Sequence, residues 1–122
     1  MSDSTLLVED DAQLRGILQR SLERRGHPVR VAATGAAARA LLTAEPADLV
    51  LLDINLPDET GWEVLRWLRE RPGRQPRVVV LTAGASARSR VADLKPDAVL
   101  LKPFPIEALL RLVEGDEGQV AD

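Results

Sequence analysis

Asp48-Leu49-Val50-Leu51-Leu52-Asp53-Ile54-Asn55-Leu56-Pro57-Asp58-Glu59-Thr60-Gly61 is the stretch that decides the fold. Its apolar half is continuous rather than alternating, which marks a strand buried on both faces, the environment of a parallel sheet. The run stops on a carboxylate and opens into a loop holding Pro57 and Gly61. A carboxylate in that place is set for chemistry more than for packing. Two other apolar runs end in charge: Leu6-Leu7-Val8 leads into Glu9-Asp10-Asp11, and Val99-Leu100-Leu101 leads into Lys102-Pro103-Phe104. If those strands are parallel neighbours, several carboxylates and one ammonium meet at one edge.

Working outward, strand and helix patterns alternate along the whole chain. Apolar runs at about 5–8, 29–32, 48–52, 78–82 and 97–101 read as strands, and all but Val29-Arg30-Val31 are continuous. The period-two alternation of that one predicts an edge strand. Helical stripes fall between them at about 12–25, 35–44, 61–71, 86–94 and 105–114. Asp11 and Thr34 stand as N-caps, Gly26 and Gly115 as C-terminal stops, and Pro105 near a helix start. Such alternation with short links predicts an α/β fold, a doubly wound five-stranded parallel sheet with five helices and the flavodoxin-like order 2-1-3-4-5.

Composition excludes several classes. The chain has 122 residues, enough for one domain, with 45% apolar and 29% charged residues and no apolar run near the ~20 residues of a membrane span. Met1-Ser2-Asp3-Ser4 lacks the basic start and apolar stretch of a signal peptide. There is no cysteine, hence no disulfide framework and no thiolate metal site. The net charge is −3 with scattered basic residues, so the footprint of a direct nucleic-acid binder is missing. A cytoplasmic protein fits these features. Gly115 to Asp122 reads as a short acidic tail after a domain spanning 1–114.

In an open sheet of that order, ligands bind beyond the carboxyl ends of the strands where the order reverses, between the first and third. Glu9, Asp10 and Asp53 would face one another there. Two carboxylates ~4 Å apart repel by about 1 kcal/mol in water and about 4 kcal/mol at an effective dielectric of 20. Three of them call for a cation or a raised pKa. An all-oxygen donor set suits Mg²⁺ or Mn²⁺, hard ions that accept phosphate as co-ligand. Lys102 can contact an oxyanion from the opposite side, and Thr82, ending Val78-Val79-Val80-Leu81-Thr82, offers a hydroxyl donor. Together these describe a phosphoryl-transfer site with Asp53 as acceptor.

Over about residues 4–114 the chain resembles the receiver domains of two-component response regulators. The resemblance is carried by Leu7-Val8-Glu9-Asp10-Asp11, by Leu51-Leu52-Asp53 with Leu56-Pro57 and Gly61, by Leu81-Thr82-Ala83, and by Leu101-Lys102-Pro103-Phe104, in order and spacing. It implies that Asp53 takes a phosphoryl group from the phosphohistidine of a sensor histidine kinase or phosphotransfer protein, or from a small phosphodonor. It further implies that Asp10 and Asp53 bind Mg²⁺, that Glu9 acts largely through water, and that the Asn55 backbone carbonyl completes the protein ligands. Thr82 and Lys102 would contact phosphoryl oxygens, and Lys102-Pro103 would be a cis bond. The expected role is that of a stand-alone regulatory phosphoacceptor, which promotes its own phosphorylation and dephosphorylation and whose phosphorylation switches a protein interaction.

Two features depart from the resemblance. Val99 stands three residues before the lysine, where receivers carry an aromatic switch, and the chain has no tyrosine. The segment from Ala83 to Ala98 is short and poor in large apolar residues, which predicts a fourth helix that is brief, mobile or displaced. Trp62 and Trp67 fall on opposite flanks of the third helix's apolar stripe, either packed or free to anchor a partner. His27, between a basic helix end and Pro28, reads as a surface loop residue. Two alternatives remain in view. One is a pseudo-receiver that binds partners without phosphorylation; the other is a phosphatase of the haloacid-dehalogenase type. The latter needs an acid where this chain has Asn55, and an amide cannot shuttle the leaving-group proton.

Overall fold

The structure, a computed structural model, describes residues 4–84 and 88–115. Strands and helices alternate as β1 (Thr5–Val8), α1 (Ala12–Arg24), β2 (Val29–Ala32), α2 (Gly35–Ala44), β3 (Leu49–Asp53), α3 (Gly61–Glu70), β4 (Arg77–Thr82), α4 (Arg88–Leu94), β5 (Ala98–Leu101) and α5 (Ile106–Val113). The strands form one sheet in the order β2-β1-β3-β4-β5, and every pair is parallel. The expected acidic tail, from residue 116 on, and the expected start of the fourth helix lie outside the described residues. Among the described residues no helix is long and apolar enough to cross a membrane.

The period of two along each strand sorts the core into two layers. Leu6, Val8, Val50, Leu52, Val78 and Val80 face one side, where Leu42 of α2, Val64, Leu65 and Leu68 of α3, and Leu94 of α4 cover them. Leu7, Leu49, Leu51, Val79, Leu81 and Leu100 face the other, beneath Leu18 and Leu22 of α1 and Leu109 and Leu112 of α5. Burial on both faces is why β1, β3 and β4 read as unbroken apolar runs. Each fully buried Leu contributes about 1.5–3 kcal/mol over leaving it in water.

The caps fall where the sequence places them. Leu14 N donates to Asp11 Oδ1 (3.1 Å) and Ala37 N to Thr34 Oγ1 (3.0 Å). Gly26 and Gly115 follow their helices at φ +85°, and the Pro105 backbone is extended just before α5 begins. The Lys102-Pro103 bond is cis.

β5 forms the sheet's second edge, as the order 2-1-3-4-5 requires, although its apolar run is continuous; Val99 is half-buried and Leu101 60% exposed. A short apolar run does not by itself distinguish an edge from an interior strand. His27 lies in the loop between α1 and β2, half-buried, and its Nε2 is 3.0 Å from Glu114 Oε2 at the end of α5.

Candidate functional site at the carboxyl edge of the sheet

Parallel register brings the charged strand ends together. Val8 pairs with Leu52, and Leu52 with Val80, so the residues after Val8 and Leu52 leave the sheet side by side at its centre. Glu9 N still donates to Ala32 O (3.0 Å), Ile54 N to Leu81 O (3.1 Å) and Lys102 N to Thr82 O (2.9 Å). These bonds hold the backbone of the site rigidly to the sheet, as precise positioning requires.

Glu9, Asp10 and Asp53 each offer a carboxylate oxygen within 4.8 Å of the others. Glu9 and Asp53 are only 1% and 2% exposed, whereas Asp10 faces solvent. Lys102 Nζ donates to Glu9 Oε1 (3.1 Å) and Asp53 Oδ1 (3.2 Å), bridging the two buried acids. Asn55 N also donates to Asp53 Oδ1 (3.2 Å). Both bonds go to the same oxygen, so Oδ2 is the one left for chemistry. Thr82 Oγ1 accepts from Gly84 N (3.0 Å), which leaves the hydroxyl proton to be donated elsewhere.

The electrostatics follow from burial. Loss of solvation, reinforced by the neighbouring Asp53, pushes the Glu9 carboxyl up to about 7, even though Asp11 N and Lys102 donate to it. For Lys102, burial works against the charged amine. The hydrogen bond to Glu9 and the charges of Asp53 and Glu9 outweigh it, and its pKa lies above the ordinary lysine value. One ammonium thus bridges two of the three acids and leaves Asp10 without a basic partner among the described residues. That shortage of positive charge, in an all-oxygen pocket with one acid reaching solvent, fits a hard divalent cation such as Mg²⁺.

Of the residues expected from the sequence, Glu9, Asp10, Asp53 and Lys102 are brought together here, Asn55 joins them through its backbone N–H, and Thr82 adjoins Lys102 through its carbonyl. Others were not foreseen. Arg15 Nη1 donates to the carbonyls of Glu9 (2.9 Å) and Asp10 (3.3 Å), steadying the acidic turn from α1. Gly61 packs so tightly under the site that a Cβ would fall on the Asp53 carbonyl oxygen and the Ile54 Cα. Its N–H closes the loop on Ile54 O (2.8 Å), and Asn55 and Thr60 form a bridge above it. Asp58 and Glu59 tie that loop to α2. Asp58 accepts from Gly35 N (2.9 Å) and Ala36 N (3.0 Å), and Glu59 takes a two-point ion pair from Arg39, with Nε at 3.0 Å. Pro57-Asp58-Glu59 reads only as a turn in the sequence, because its partners lie in another helix.

The tryptophans divide. Trp62 is buried in the core beside α2. Trp67 is half-buried, with the guanidinium carbons of Arg71 and Arg39 at 4.5 and 5.4 Å from its ring centre.

Comparison with known proteins agrees with this arrangement. The family described as "Response regulator receiver domain" matches residues 5–114. The transcriptional regulatory protein GltR of Pseudomonas aeruginosa is 41% identical over 114 residues, covering 89% of this chain and 47% of that protein. The response regulator MprA of Mycobacterium ulcerans is 37% identical over 131 residues, covering 100% of this chain and 56% of that one. The chain therefore spans about half the length of these curated relatives. Among solved structures, a CheY-like receiver domain from Methanospirillum hungatei superposes with a TM-score of 0.86 at 29% identity, over 98% of this chain and 97% of the other.

Proposed function

The chain belongs to the response regulator receiver domain family, and from that premise we propose that it is a phosphoacceptor with Asp53 as the residue modified. The observation that carries this reading is the pairing of Asp53, buried at the end of the central strand, with Lys102, beside two further acids. In this reading residues 1–114 form the receiver domain.

Glu9, Asp10, Asp53 and the Asn55 carbonyl would hold the Mg²⁺ or Mn²⁺ ion. When bound, the ion neutralises the charge that gathers on the phosphoryl oxygens. Asp53 Oδ2 attacks the phosphorus of the phosphohistidine of a sensor histidine kinase or phosphotransfer protein, or of a small donor. A carboxylate O–P bond forms, the N–P bond of a phosphohistidine breaks, and the leaving imidazole takes a proton from solvent. Lys102 exchanges its contact with Asp53 Oδ1 for a phosphoryl oxygen, and Thr82 donates its free hydroxyl proton to another. A hydroxyl gains more from that charged acceptor than from water. The acyl phosphate then alters the affinity for a downstream protein in the cytoplasm.

Intact-mass measurement after incubation with acetyl phosphate or phosphoramidate and Mg²⁺ tests this. One phosphoryl group should be added, Asp53→Asn should abolish the addition, and chelation should prevent it. An unchanged mass in protein shown to bind Mg²⁺ would favour a receiver that works without phosphorylation.

A further inference from the structure

The loop that carries Asn55 is fastened to a helix that contributes nothing else to the site. From Asp53 the chain turns through Asn55–Thr60 and enters α3 at Gly61. At its base the loop is closed by Gly61 N on Ile54 O and by the Asn55–Thr60 bridge. Beyond Leu56, which packs on the core, its outer arm is held sideways. Asp58 spreads its two carboxylate oxygens over the first two amides of α2, capping them as an N-terminal side chain would, and the helix dipole favours its charge. These two bonds are also what hold the Asp58 carboxyl below the usual aspartate value. Glu59 crosses the face of Gly35 to reach Arg39, and a side chain at Gly35 would collide with it. Arg39 in turn lies over Trp67 of α3. Helix α2, the loop and α3 are thereby clasped by two adjacent acids.

We propose that Asp58 and Glu59 are positioning residues for the metal site: anchored on α2, they fix the direction of the Asn55 carbonyl and so set the affinity for Mg²⁺. This rests on the reading of the acidic cluster as a metal site. A carbonyl on a loop held at both base and tip is already oriented before the ion arrives. One on a loop free at its tip must be ordered on binding, and that entropy is subtracted from the affinity. Partners that orient a metal's own ligands commonly change affinity by about 10–100-fold when removed.

The test uses Asp58→Ala, Glu59→Gln and the pair combined. Asp58→Asn serves as the conservative variant, since its amide keeps one acceptor for the α2 amides. Hydrogen exchange in EDTA should quicken across residues 54–61 in Asp58→Ala and in the combined variant. Their Mg²⁺ dissociation constants, measured by calorimetric titration, should rise about tenfold. Asp58→Asn should fall between these and the wild type. Reversing the ion pair, with Glu59→Arg and Arg39→Glu together, should recover most of what Glu59→Gln loses. A variant with a lowered melting temperature but unchanged Mg²⁺ affinity would overturn the proposal, because the contacts would then be a helix cap and nothing more. Unchanged exchange across 54–61 would overturn it as well. Failure of the underlying reading looks different: the wild-type protein then takes up no Mg²⁺ at all, and the positioning role falls with it.

Discussion

Asp10 differs from the other acids of the cluster in facing solvent while Glu9 and Asp53 are enclosed and share Lys102. Its charge adds to theirs and has no basic partner among the described residues. Removing that charge, as in Asp10→Asn, should stabilise the metal-free domain by about 1 kcal/mol, the repulsion of two carboxylates ~4 Å apart in a watery setting. The same change should shrink the stabilisation that Mg²⁺ confers. Melting curves in EDTA and in millimolar Mg²⁺ check both, and a variant less stable than wild type in EDTA would refute the account. Function and stability oppose each other at this residue. Glu9, Asp10, Asp53, Thr82 and Lys102 were legible as candidates because each is a charged or polar residue at or just beyond the end of an apolar run, where parallel pairing must gather them; Asn55 entered only through the family resemblance. Asp58 and Glu59 were not, since the partners that give them a role lie about twenty residues earlier in the chain.

Among the elements, α1 and α5 cover the same face of the sheet, and their ends are joined by charge. Arg25, at the end of α1, grips Glu114 with two nitrogens (2.8 and 3.1 Å) and reaches Glu107 (3.3 Å), while His27 reaches Glu114 (3.0 Å). The bond from His27, followed by that from Arg25, holds the Glu114 carboxyl below its ordinary value of 4.5. A carboxyl lowered by folding favours the native state when ionised. Its contribution is therefore complete above pH 4.5 and is lost as the pH falls through and below that value. Glu114→Gln should accordingly lose less melting temperature than wild type between neutral pH and pH 3.5, although it starts lower. An identical acid limb in the two proteins would show that the network carries none of the dependence. This tie spans most of the chain and left no trace in local periodicity, so the sequence placed His27 in its loop but not its acidic partner. Helix and strand positions, by contrast, were legible to within a few residues, because caps, glycines and apolar periods are local signals. The edge position of β5 followed from the predicted strand order and not from its own continuous apolar run, which reads like that of an interior strand.

Across the whole molecule, a signal from Asp53 needs an element with two arrangements. Val99 is a stiff, β-branched residue packed against the core, with no ring to swing. Helix α4 is the better candidate. It is seven residues long, and its far end is pinned to α3 by Arg69, which donates to Leu94 O (3.2 Å) and Lys95 O (2.9 Å). Thr82 and Gly84 join its near side to the site. A pull on Thr82 should thus pivot or order this segment about its fixed end. Hydrogen exchange with and without beryllofluoride and Mg²⁺ should change most within residues 83–95. A larger change around Val99 and α5, with 83–95 silent, would sink the idea. The arginine that holds the end of this helix was not legible in the sequence, since it sits on α3.

Both tryptophans belong to α3, and the chain contains no tyrosine. Its near-ultraviolet absorption and its emission are therefore the light of a single helix. Trp62, enclosed in the core, should emit toward the blue. Trp67, with guanidinium groups against its ring, should shift in colour and yield whenever Arg39 or Arg71 moves away. The molecule thus carries its own dye at the seam between α2 and α3. Events that open that seam are visible without labelling.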